Sequence, residues 1–143
     1  MDVKLKLKID SDFNMMLLNP ELCKALKAEG IKIKNVRRVD LPEQLKTTIC
    51  SFTIRNYIFV VIDDIINRFN IKEIELILWH EYAHKYLNSS NEELCDSFAI
   101  SKVGKESYDS AVQKSAELTC ELRQLYGITT DTVHKYDHRK AVS

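Results

Sequence analysis

The chain has 143 residues, 45% of them hydrophobic and 29% charged, which is enough apolar material for one packed core and too much for a disordered chain. Lysine plus arginine and aspartate plus glutamate both total 21, so the formal charge is zero and no basic excess points to a nucleic-acid partner. No stretch approaches the roughly 20 apolar residues of a membrane span, and the start, MDVKLKLKID, alternates charge with apolar residues where a secretory signal would carry an unbroken apolar run.

In chain order, Val3, Leu5, Leu7 and Ile9 alternate with Lys4, Lys6 and Lys8, a period of two that predicts a half-buried strand over 3–9 whose lysine row suits a sheet edge. A short helix is expected next, with Pro20 near its start and Gly30 just past its end. The stretch IKIKNVRRV resumes the alternation, Leu41 to Lys46 reads as a connector containing Pro42, and TTICSFTIR and YIFVVI predict two further strands that turn near Asn56. YIFVVI is apolar at every position, the pattern of a strand covered on both faces or of a short buried helix.

From Asp63 the reading is helical. DDIINRFN makes about two turns, IKEIELILWHEYAHKYLN a longer helix, NEELCDSFAISKV a third, and KESYDSAVQKSAELTCELRQLY a fourth that Gly127 ends. A last short helix is expected from about Asp131. Ala111, Ala116, Leu118, Leu122 and Leu125 recur at a helical period and are expected in the core. With no internal repeat or glycine-rich linker, these elements predict one α+β domain over 1–143: a small mixed or antiparallel sheet in the N-terminal half, packed on a helical C-terminal half. Cys23, Cys50, Cys95 and Cys120 are widely spaced and form no C-x-x-C pair, so they read as reduced, buried apolar residues of a cytoplasmic protein.

The long helix carries the chemistry. His80-Glu81-Tyr82-Ala83-His84 spells H-E-x-x-H. On a helix, residues four apart sit about 40° around the axis and one turn along, so both imidazoles can address one Zn²⁺, with Glu81 beside a metal-bound water as general base and not as a ligand. Zinc lowers the pKa of that water to about 7 and polarises a peptide carbonyl. Burying two imidazoles and a carboxylate without such compensation would cost several kcal/mol. A third protein ligand is required. The metzincin pattern would place Gly and His where this chain has Leu87 and Ser90, and the next histidine is His134, so the nearest candidates are Glu92 and Glu93, with Asp96 one turn on. Both glutamates also fit capping boxes, Ser89-x-x-Glu92 and Ser90-x-x-Glu93.

YIFVVIDDIINRF followed by IELILWHEYAHKYL and then NEELCDSFA resembles the gluzincin peptidases, especially the soluble minigluzincins and the catalytic core of the CAAX-prenyl-protease-like metallopeptidases. The likeness spans about residues 57 to 100 and lies in the order of the pieces: apolar strand, short helix, H-E-x-x-H helix, E-x-x-x-D segment. It implies a zincin-like fold, one zinc held by His80, His84 and Glu92, a supporting carboxylate at Asp96 behind a ligand histidine, and hydrolysis of a protein or peptide substrate reached in solution. Trp79 and Cys95 depart from the small residue and the alanine usual in the family, which alters packing beside the metal.

Three functions compete: a zinc-dependent endopeptidase, a zinc-stabilised binding or regulatory module, and a metal-free helical protein. A complete H-E-x-x-H favours the first, because a module that only holds metal has no use for Glu81. Tyr108, Tyr126, His134, Tyr136 and His138 are candidates for the donor that would stabilise an oxyanion, and a solvated tail accounts equally well for the last three.

Overall fold

The computed structural model describes residues 7–127, so most of the strand expected over 3–9 and the helix expected near Asp131 lie outside the described residues. The described chain runs β1 (Ile9–Asp12), α1 (Pro20–Ala28), β2 (Lys32–Val36), β3 (Ser51–Ile54), β4 (Tyr57–Val61), α2 (Ile62–Arg68), α3 (Ile71–Tyr86), α4 (Glu92–Val103) and α5 (Lys105–Tyr126). The strands form one sheet in the order β1-β2-β4-β3. Strand β2 runs parallel to β4 and the other two pairings are antiparallel, so the sheet is mixed and the fold α+β.

Local chemistry explains the element ends. Asn19 caps α1 by accepting from the Glu21 N–H, Pro20 takes the first helical position where no N–H is needed, and Gly30 follows at φ 69°. The Asn19 N–H donates to Glu75 Oε2 at 2.7 Å, which ties the start of α1 to α3. Asn70 and Glu73 form a reciprocal capping box at the start of α3, and Gly127 closes α5 in the left-handed conformation. Helix α4 is capped by Asn91, whose side chain accepts from Leu94 N–H, so neither serine capping box expected from the sequence forms.

Strand β4 is apolar throughout because both of its faces are covered. Ile58 and Val60, with Ile33 of β2, join the main core of Leu22, Leu26, Leu76, Ile77, Leu78, Leu118 and Leu122. Phe59 and Val61 pack on the opposite face with Val36 and Leu41, beneath Leu45, Phe52 and Ile54. The connector between β2 and β3 is held over that second face by Arg38, which donates to the Lys46 and Thr48 carbonyls and, through Nη2, to both oxygens of Asp64 at 2.7 and 2.6 Å. Asp64 also accepts from the Cys50 N–H at 2.8 Å. Its burial raises its pKa in spite of the Arg38 charge beside it.

Helix α3 is buried all round from Glu73 to Ala83, lying against α1, α4 and α5. Ala111, Ala116, Leu118 and Leu122 of α5 are core residues as their period implies, but Leu125, in the last turn of α5, is 72% exposed. Cys50 and Cys95 are buried and Cys23 partly so, whereas Cys120 is exposed on the outer face of α5, against the expectation of a buried residue; all four are free thiols. Among the described residues no helix is long and apolar enough to cross a membrane.

Candidate metal centre

His80 and His84 stand one turn apart on α3, their rings 4.8 Å between centroids and nearly perpendicular. Past the end of α3, Asn88 takes a positive φ of 49° and turns the chain back toward α4. The turn brings the Ser89 carbonyl within 2.8 Å of His84 Nδ1. It also sets Glu92, the first residue of α4, opposite the imidazoles. One turn further along α4, Asp96 Oδ1 lies 2.8 Å from His80 Nδ1. The Tyr108 hydroxyl of α5 donates to the other Asp96 oxygen at 3.2 Å.

These contacts fix the tautomers. A carbonyl can only accept, so His84 Nδ1 carries the proton, and the Asp96 carboxylate likewise favours the proton on His80 Nδ1. In the neutral rings both Nε2 atoms then present lone pairs. They point at each other and at a carboxylate oxygen: His80 Nε2 is 2.8 Å from Glu92 Oε1, His84 Nε2 is 3.3 Å from the same oxygen, and the two nitrogens are 3.1 Å apart. Three acceptors at hydrogen-bond distance repel unless a cation lies among them. Ligands held tetrahedrally at about 2.0–2.1 Å from one ion stand about 3.3 Å from one another, close to the spacing here. Each imidazole moreover has an oxygen 2.8 Å from its remote nitrogen, the kind of neighbour that supports metal-bound histidines. The donor set therefore fits a divalent metal, and His80, His84 and Glu92 form the metal-competent group found among the described residues.

No family model matches the chain, and no curated protein or solved structure matches it either. The chemistry of the site rests on its own geometry.

Glu81 faces the same side of α3, 5% exposed, and its Oε1 accepts from Thr53 Oγ1 of β3 at 3.0 Å. Glu93, the alternative third ligand, is exposed and lies outside the cluster. Cys95 is buried with its sulfur 3.4 Å from His84 Nδ1, the side of the ring turned away from the convergence, so it lies behind the ligand histidine. Trp79 turns to another side of α3, edge-on to Tyr82 and against Phe98 with the Lys102 ammonium over its ring. Tyr108 stands behind Asp96 and donates to its carboxylate. Tyr126 is at the exposed end of α5, and His134, Tyr136 and His138 lie outside the described residues.

Sequence reasoning did not single out Thr53 or the Ser89 carbonyl. A signal for Thr53 existed: Ser51 and Thr53 place hydroxyls on the same strand face as Ile58 and Val60, which they oppose across the β3-β4 ladder. Ser51 is buried and Thr53 stands at the exposed end of that face, and a polar pair at a period of two there points to a polar neighbour.

Proposed function

We propose that the chain is a zinc-dependent peptidase of gluzincin type, with a zincin-like arrangement of sheet and H-E-x-x-H helix, that hydrolyses a protein or peptide substrate. The observation that carries this reading is the convergence of three acceptor atoms from His80, His84 and Glu92. Zinc bound there would supply Lewis acidity toward a water and the scissile carbonyl. His80, His84 and Glu92 would hold it, and Asp96 and the Ser89 carbonyl would fix the two rings by their remote nitrogens. With two neutral imidazoles and one carboxylate as ligands, a bound Zn²⁺ would leave the site net positive, which would favour developing negative charge on the carbonyl oxygen.

Glu81 is the general base in this reading. It follows the first ligand histidine, is buried, and is held from β3. Its carboxylate takes a proton from the attacking water and returns it to the departing amine as the C–N bond breaks. The substrate is accommodated in extended form: β3 is an edge strand beside Glu81, and a peptide added along it would gain main-chain hydrogen bonds.

The test is Glu81→Gln. It should retain one equivalent of zinc while cleavage of an unfolded protein mixture, read as new termini by mass spectrometry, falls by about 10²- to 10⁴-fold. Equal cleavage by both forms removes Glu81 from the mechanism. Zinc binding with no cleavage by either form replaces the peptidase with a zinc-stabilised binding module.

A further inference from the structure

Strand β3 pairs with β4 on one side and, among the described residues, with no other strand. Its register sets Ser51 opposite Val60, Phe52 opposite Phe59, Thr53 opposite Ile58 and Ile54 opposite Tyr57. The Val61 N–H donates to the Cys50 carbonyl at 2.8 Å, so the main-chain bonds of the ladder fall at 50, 52 and 54, and the N–H and C=O of residue 53 turn outward to the open edge. The side chain of the same residue turns to the helix side and places its hydroxyl 3.0 Å from Glu81 Oε1. Thr53 is itself exposed, where a threonine is ordinary; the ground for a role is that its hydroxyl reaches the buried Glu81 carboxylate across from β3.

We infer that Thr53 is a positioning residue for Glu81, and that it links docking of an extended peptide on β3 to the orientation of the base; the inference rests on the peptidase reading above. A glutamate side chain has three rotatable bonds, and a charge-assisted donor on a strand helps restrict them without contributing a second charge. The donor belongs to the residue whose main chain offers the edge to the substrate. A peptide paired there holds β3 in place, and with it the hydroxyl that holds the carboxylate.

The test compares Thr53→Val, which removes the donor and keeps the β-branched shape, with Thr53→Ser, which keeps the donor. Both should bind zinc as the wild type does and melt at the same temperature within a degree or two. Thr53→Val should lower kcat about tenfold with KM unchanged, and Thr53→Ser should recover most of the loss. An activity-independent readout is the carboxyl resonance of Glu81 in zinc-loaded protein carrying ¹³C-labelled glutamate, assigned by its absence in Glu81→Gln. It should shift and broaden in Thr53→Val and return in Thr53→Ser. An unchanged Glu81 resonance in Thr53→Val overturns the inference, as does a loss of activity shared equally by the serine variant or traced to lost zinc. A wild type that cleaves nothing, with the Glu81 resonance still displaced in Thr53→Val, overturns the peptidase reading and upholds the positioning contact.

Discussion

Helix α3 carries two buried charged clusters about two turns apart, and they are completed in opposite ways. At its first turn Glu73 is fully buried, and donors meet it: Lys114 Nζ at 2.7 Å, the Ser110 hydroxyl and the Asn70 N–H at 2.8 Å. Burial alone would raise its pKa, but Lys114, Ser110 and Asn70 together hold it below the ordinary glutamate value. In the second half His80, His84 and Glu92 bring acceptors to acceptors, while every proton on the rings is directed outward to Asp96 and Ser89. The first cluster closes within the protein and joins α3 to α5. The second, in the proposed reading, would be completed by a cation, and that difference would separate a structural network from a binding site on the same helix.

Breaking each cluster separately should produce crossed effects. His80→Ala or His84→Ala should abolish stoichiometric zinc binding and remove the zinc-dependent part of the melting temperature, measured by chelator titration and thermal melts with and without metal. Glu92→Gln should weaken zinc far more than Glu93→Gln, because only Glu92 stands in the cluster. Lys114→Met should leave zinc affinity alone and destabilise the protein. Its side chain is one-third exposed, so the loss should fall toward the low end of the about 3–5 kcal/mol seen when a buried pair is broken, read by urea denaturation. Loss of zinc binding in Lys114→Met would mean that the two clusters are not separable.

Acid should part them as well. A carboxylate whose folded pKa is depressed stabilises the fold above its unfolded value, here 4.5, and that stabilisation is lost as pH falls through the lower folded pKa. Zinc requires deprotonated imidazoles, so protons compete with the metal. As pH falls, the increment in melting temperature given by zinc should therefore fade at a higher pH than the difference between wild type and Lys114→Met. Coincident loss of both would contradict the separation.

Behind the ligands the effects should diminish with distance. Asp96→Asn should weaken zinc about 10- to 100-fold without abolishing binding, since the ring it supports keeps its place on α3. Tyr108→Phe removes only a donor to Asp96 and should cost a few-fold at most, both by competition titration against a zinc chelator. An equal or larger loss in Tyr108→Phe would show that the hydroxyl does more than support the carboxylate.

The helical half was largely legible from sequence because its signals are local. The starts of α3, α4 and α5 fall within a residue of the breaks set by Asn70, Asn91 and Gly104, and Gly127 ends α5 as its residue type implies. The spacing of His80, Glu81 and His84 is likewise a local property of a helix, and the order of the following helix brought Glu92 and Asp96 into consideration. What depended on distant contacts was less legible. Periodicity carries no strand order, so the parallel pairing of β2 with β4 was not specified, and β1 begins at Ile9, where the expected strand was to end. The latch of Arg38 on Asp64 joins positions 26 apart and has no signature in either neighbourhood. Cys120 lies in solvent because it sits on the outer face of α5, a side its position relative to the buried Leu118 and Leu122 specifies and its residue type does not, while Leu125 is exposed although it continues the apolar period.

The central claim is that three acceptors converge because they hold a metal, and metal analysis of protein purified without added zinc tests it most directly. The account predicts close to one equivalent of zinc per chain in the wild type, removable by chelator with a fall in melting temperature, and none in His84→Ala prepared in parallel. A wild type that is metal-free as purified, takes up no zinc from a buffered solution and melts identically with and without it would contradict the account and leave the cluster as a histidine pair held by shared protons.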